Sequence, residues 1–221
     1  EGSEASNYYL AKKSKEKRVF ENYKEVGIYT LEEMEFKNLF DNYQDTITAL
    51  LQSTKGISKA FMEKEKRKIN YKRLGFLKDY EGAHAQFAKK KDFKVSEGFL
   101  DELKQLDYSK PGDYEFSPEY ARLVTMNYRE KASDLAKKDS MSRDEAYLKT
   151  INSIADTVIR NGLLFERAHY YIAYADDLES YYSDFMASST NEIHKSKITE
   201  SYNRLKKVAT GQPSPEFVDY E

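Results

Sequence analysis

The chain has 221 residues, with 36 Lys and Arg against 38 Asp and Glu for a formal charge of −2, 39% hydrophobic and 33% charged content, and no cysteine. That length allows one or two domains with a sizeable core, and the charge balance excludes the broad basic field on which nucleic-acid binding rests. Without cysteine the chain has no disulfide framework, no thiolate metal site and no thiol-exchange chemistry of its own; with only 9 glycines and 4 prolines it is too poor in turn formers for an all-β fold.

The apolar spacing is helical almost throughout. A first helix is predicted from about Ser6 to Tyr23, with Tyr9, Val19, Phe20 and Tyr23 on one side, ended by Gly27. Thr30-Leu31-Glu32-Glu33 reads as a capping box, and Phe36, Leu39, Phe40, Tyr43, Ile47, Leu50 and Leu51 keep the three-four spacing of a buried stripe behind it. After Gly56, Ser58 opens a long helix that turns Phe61, Met62, Ile69, Leu74, Leu77, Tyr80, His84 and Phe87 inward. Its charged middle, Glu63 to Lys68, is expected in solvent. Gly75 and Gly82 are positions for a kink or a close neighbour. A short helix is expected near Ser96 to Leu106, and Lys110-Pro111-Gly112-Asp113 is the strongest internal turn signal.

Ser117-Pro118-Glu119 starts the next helix, serine capping and proline in first place, with the stripe Tyr120, Leu123, Val124, Tyr128, Ala132 and Leu135. Ser142 to Glu145 is a second capping box; the helix behind it carries Tyr147, Ile151, Ile154, Ala155 and Val158 and is expected to close at Asn161-Gly162. Leu164, Phe165, Ala168, Ile172, Ala175, Leu178, Tyr182 and Phe185 continue at helical spacing. A last helix from about Asn191 presents Ile193, Ile198, Tyr202, Leu205 and Val208. Arg204, Lys206 and Lys207 suit the negative pole of its dipole. The predicted fold is all-α, an irregular antiparallel bundle of about seven helices with an extended C-terminal connector. No stretch of eighteen apolar residues marks a membrane span.

Chemistry-bearing motifs are few. His84 lies on an apolar helix face, Glu166-Arg167-Ala168-His169 is a single Glu-x-x-His where a di-iron bundle supplies one from each of two helices, and His194 at a helix start is expected in solvent. No paired ligand set, nucleophile elbow or phosphate-cradling glycine loop is present, so no catalytic residue, metal ligand or cofactor site is expected within the chain. The charged runs Lys12 to Arg18 and Glu63 to Arg73 interleave glutamate with lysine and arginine, the pattern of solvated helix faces. The 19 tyrosines, with Tyr170, Tyr171, Tyr174, Tyr181 and Tyr182 close together, are candidates for an exposed contact surface, or for core filling in a chain without tryptophan.

The last eleven residues differ from all the rest. Gly211-Gln212-Pro213-Ser214-Pro215-Glu216-Phe217-Val218-Asp219-Tyr220-Glu221 carries a helix-ending glycine, two prolines at alternate positions and then an apolar-polar alternation. Gly211 to Pro215 therefore reads as an extended connector and Glu216 to Tyr220 as the start of a strand. Gly211, Pro213, Ser214, Pro215 and Phe217 resemble the entry to the thioredoxin-like domain of TlpA/ResA-type, redoxin-related thiol-disulfide oxidoreductases. The Tyr- and Lys-rich helical segments before them are similar to the N-terminal regions of such proteins of Bacteroidetes type. Gly2, Ala5, Asn7, Tyr9 and Leu10 loosely resemble the segment by which those regions enter their helices.

The resemblance implies residues 1–209 as a helical N-terminal domain, and 210–221 as a linker and the first strand residues of a thioredoxin-like domain that lies beyond this chain. It implies a parent enzyme whose Trp-Cys-x-x-Cys site exchanges disulfides in client proteins, facing the periplasm or another extracytoplasmic space. Membrane attachment would come only through an anchor outside this segment. The helical part would then position the catalytic domain, self-associate as a homodimer, or select clients. The rival reading is a stand-alone helical protein-interaction module without enzymatic activity.

Overall fold

The computed structural model describes residues 2–25 and 27–207. Among them are ten α-helices, three short 3₁₀ turns and no strand, so the chain is all-α, with more and shorter helices than the seven expected. The described residues fall into two compact units: residues 1–108 with 116–123, and 109–115 with the chain from 124 onward. The connector residues Gly211, Pro213, Ser214, Pro215 and Phe217 lie outside the described residues.

The first unit is built on α1 (Gly2–Phe20), α2 (Glu33–Ser53) and α3 (Lys59–Phe87). Phe20 meets Phe40 and Phe76, Phe36 meets Tyr80 at 4.2 Å, and Phe40 stacks on Phe76 at 4.3 Å. These pairings make α2 antiparallel to both α1 and α3. The expected α2 stripe is the core: Phe36, Leu39, Phe40, Tyr43, Ile47 and Leu51 are buried. Ser58 caps α3 as predicted, its Oγ accepting from the Phe61 N–H at 3.2 Å. The box expected at Thr30 is not made. Thr30 ends a 3₁₀ turn and its hydroxyl donates to the Gly27 carbonyl, while the Glu33 carboxylate accepts from the Ser96 N–H at 2.9 Å. Phe87, expected inward, is the last residue of α3 and is exposed against Tyr29. The short helix foreseen at 96–106 reduces to α4 (Asp101–Lys104).

The charged middle of α3 is not wholly in solvent. Glu65 is only 2% exposed, because Lys12 Nζ donates to Glu65 Oε1 at 2.6 Å and the Tyr8 hydroxyl to the same oxygen at 3.0 Å. The carboxylate faces inward because α1 supplies a cation and a phenol for it, and a buried charge is tolerated only when so paired. A second crosslink joins α1 and α3 through Glu16, which accepts from Tyr43 and Lys72, each at 3.0 Å.

In the second unit, α5 (Pro111–Phe116) replaces the turn expected at 110–113, the proline standing first in the helix where its missing N–H costs nothing. Next come α6 (Pro118–Asp139), whose residues from 124 belong to this unit, then α7 (Arg143–Asn152), α8 (Thr157–Tyr171), α9 (Leu178–Ser188) and α10 (Glu192–Lys207). The Ser142–Glu145 capping box forms with both of its bonds. The helix behind it ends early, at Asn152, and Asp156 caps α8 by accepting from the Ile159 N–H at 2.9 Å. Ile159 is buried in consequence and Ala155 is exposed.

Asn161-Gly162 therefore lies inside α8 rather than at a helix end. Asn161 is buried and holds the segment before α10, donating to Thr190 Oγ1 and accepting from the Thr190 N–H, each at 2.9 Å. Gly162 is required by packing, since the Tyr114 ring occupies the space a Cβ would fill. The stripe expected to run from Leu164 to Phe185 is likewise broken. It passes through a 3₁₀ turn at Ile172–Tyr174, and Asp177 caps α9 on the Ser180 N–H at 2.9 Å. Ile193, expected inward, is 68% exposed; the neighbouring His194 takes the packed position.

Candidate functional site

The histidines separate cleanly once placed. His84 is fully buried with Nδ1 at 2.9 Å from the Tyr29 carbonyl, so Nδ1 carries the proton and the ring serves the core beside Phe93. His169 is exposed and stacks on Phe165. Its sequence partner Glu166 is engaged elsewhere, accepting from the Thr125 hydroxyl at 2.7 Å and from Arg129 at 3.0 Å. His194 is half-buried against Phe165 at 4.3 Å, not solvated, and burial lowers its pKa so that the ring is neutral near pH 7. Among the described residues no group of three or more His, Asp or Glu could hold a metal ion, and no helix is long and apolar enough to cross a membrane.

Several tyrosines are structural. Tyr8, Tyr43, Tyr80 and Tyr120 are among the largest fully buried side chains, and each hydroxyl has a partner: Glu65, Glu16, the Leu31 carbonyl and the Asp107 carbonyl. Burial next to carboxylates pushes the Tyr8 and Tyr43 phenols far above their ordinary range, and burial raises Tyr80 to about 12, so all three stay protonated and donate to these partners. A different set is exposed together at the end of α8. Tyr170 and Tyr174 show 67% and 77% of their surface, and Tyr171 lies between them in the sequence with its ring 5.0 Å from that of Tyr170. Of the tyrosine cluster expected at 170–182, this part forms a contiguous outer surface. Tyr182 instead stacks on Tyr202 at 4.2 Å.

Beside that surface, and within the same unit, α6, α7 and α8 enclose a cleft of about 380 Å³ lined by Arg129, Ser133, Arg143, Asp144, Tyr147, Arg167 and Tyr171. Arg167 is its central wall. Its guanidinium stacks on Tyr147 at 5.0 Å and Tyr171 at 4.9 Å, and its NH2 reaches Asp144 at 2.7 Å. A planar cation held between two rings and one carboxylate is fixed in place. Arg129 is paired with Glu166. The Tyr147 phenol is raised by burial and by Glu166, against the opposing pull of Arg129 and Arg167, and stays protonated. Sequence reading passed over this cleft. Arg143 and Tyr147 share one helix face at i,i+4, as do Arg167 and Tyr171, and only that spacing hints at it; the meeting of the two pairs is tertiary.

Compared with known proteins, the chain matches no family, no curated protein and no solved structure.

Proposed function

We propose that this chain is the helical accessory region of an extracytoplasmic thiol-disulfide oxidoreductase whose redox chemistry resides in a thioredoxin-like domain following Glu221. The observation that carries the reading is the connector Gly211, Pro213, Ser214, Pro215 and Phe217, set directly after a long helical region. The all-α fold agrees with the helical N-terminal region that this resemblance implies. A cysteine-free chain cannot exchange disulfides itself, so its part is to position the catalytic domain, self-associate or select clients. The exposed surface of Tyr170, Tyr171 and Tyr174 supports a contact role, because tyrosine offers an apolar ring and a polar tip at small entropic cost.

The test is a disulfide-reduction assay on the parent polypeptide, with insulin as the protein substrate and a small aromatic disulfide as the control. The reading expects turnover of both, and a selective loss on insulin when residues 1–209 are deleted. A parent polypeptide that turns over neither substrate overturns it.

A further inference from the structure

We infer that the cleft between α6, α7 and α8 is a binding site for an organic monocarboxylate bearing a planar ring, with Arg143 as its anchor. The inference stands on the cleft alone and does not depend on the redox reading.

Charge comes first. Three guanidinium groups line the cleft, and two of them are neutralised in place: Arg129 by Glu166 at 3.0 Å and Arg167 by Asp144 at 2.7 Å. Arg143 is exposed, and among the described residues it has no ion pair or hydrogen bond to a side chain. It is also the first residue of α7, where the positive end of the helix dipole disfavours a cation. The two carboxylates of that turn are engaged elsewhere, Asp144 by Arg167 and Glu145 by the Ser142 cap, so neither forms an ion pair with Arg143. A guanidinium without a carboxylate partner is thus left in the lining of the cleft. The surplus is about one positive charge, which matches a singly ionised carboxylate better than a doubly ionised phosphate. The fork geometry suits the two carboxylate oxygens.

Shape adds the ring. Tyr171 has one face toward Arg167 and remains 41% exposed, leaving aromatic surface open at the cleft wall. Tyr147 and Ser133 supply neutral hydroxyls to the lining, and the volume falls in the range that holds a small ligand. A free aromatic acid and a peptide chain ending in an aromatic residue share this chemistry.

The experiment is calorimetric titration of the full 221-residue chain at low salt. The probes are 3-phenylpropionate, its amide, phenyl phosphate, and a tetrapeptide ending in phenylalanine with a free or an amidated C-terminus. The expected result is binding of the acids and not of the amides. Tighter binding of the tetrapeptide assigns the site to chain ends, and tighter binding of phenylpropionate to a small-molecule acid. Arg143→Gln should weaken binding by about tenfold to a hundredfold, and Arg143→Lys should fall in between, with melting temperatures not lowered because the side chain is exposed and unpaired. Absence of binding by either acid, tighter binding of phenyl phosphate, or undiminished binding by Arg143→Gln would overturn the inference.

Discussion

Arg73 keeps its charge inside the first unit, only 4% exposed, because two carboxylates meet it. Its Nε donates to Asp41 at 2.8 Å, and its two terminal nitrogens form a fork on Glu102 at 2.7 and 2.9 Å. The hydrogen bonds from Arg73 hold the Glu102 carboxyl below the usual carboxylate range, with the Arg73 charge and Lys37 adding to them against some desolvation. A depressed folded pKa means that this stabilisation is fully present above the unfolded value of about 4.3 and is lost as pH falls through the lower folded value. Glu102 is half exposed, so solvent screening limits the contribution to about 1 kcal/mol or less. We therefore expect the denaturation midpoint to fall more steeply below about pH 4.5 in the wild-type chain than in Glu102→Gln. Identical slopes in a pH series would show that the fork contributes nothing. None of this was visible in the chain order. Glu65 and Arg73 sit in a charged run whose composition reads as solvated, and only the arrival of α1 and of the segment around α4 supplies the partners that draw them inward.

Helix by helix, what could be read from sequence was what depends on neighbours within one turn. The Ser58 cap, the Ser142–Glu145 box and the Phe36–Leu51 stripe are local, and they stand as predicted. The identical logic failed at Thr30, where the hydroxyl and the carboxylate each found a different partner, and at Asn161-Gly162, a pair that reads as a helix stop. There the asparagine is consumed by Thr190 and the glycine by the Tyr114 ring, both long-range demands. The glycine carries a sharp expectation. In an open helix interior Gly→Ala stabilises by about 1 kcal/mol, whereas Gly162→Ala drives a methyl into the Tyr114 ring and should destabilise by about 1–3 kcal/mol. In a Tyr114→Leu background the same alanine should become neutral or stabilising, a coupling that a double-mutant denaturation cycle reads directly. Simple additivity would mean that the ring yields freely and the glycine has another cause.

As a whole, the described chain is two compact units rather than a single run of stripes. Ile154 closes the turn between α7 and α8 with only 7% of its surface exposed, in the second unit. An aspartate there would bury an uncompensated carboxylate at about 3 kcal/mol or more, a large share of a domain's stability. Hydrogen exchange on Ile154→Asp should show lost protection in α7 to α10, and unchanged exchange rates in those helices would contradict the placement. Fold class was legible at this scale because apolar periodicity and the scarcity of turn formers are properties of the whole sequence. The arginine cleft was not, since its walls come from three helices separated by loops of unpredicted length.

The proposed role rests instead on a sequence motif a few residues long, and the most direct check is the parent coding sequence beyond Glu221. The account predicts that the coding sequence beyond Glu221 encodes a thioredoxin-like domain containing Trp-Cys-x-x-Cys. A stop codon after Glu221, or an extension without paired cysteines, would contradict it.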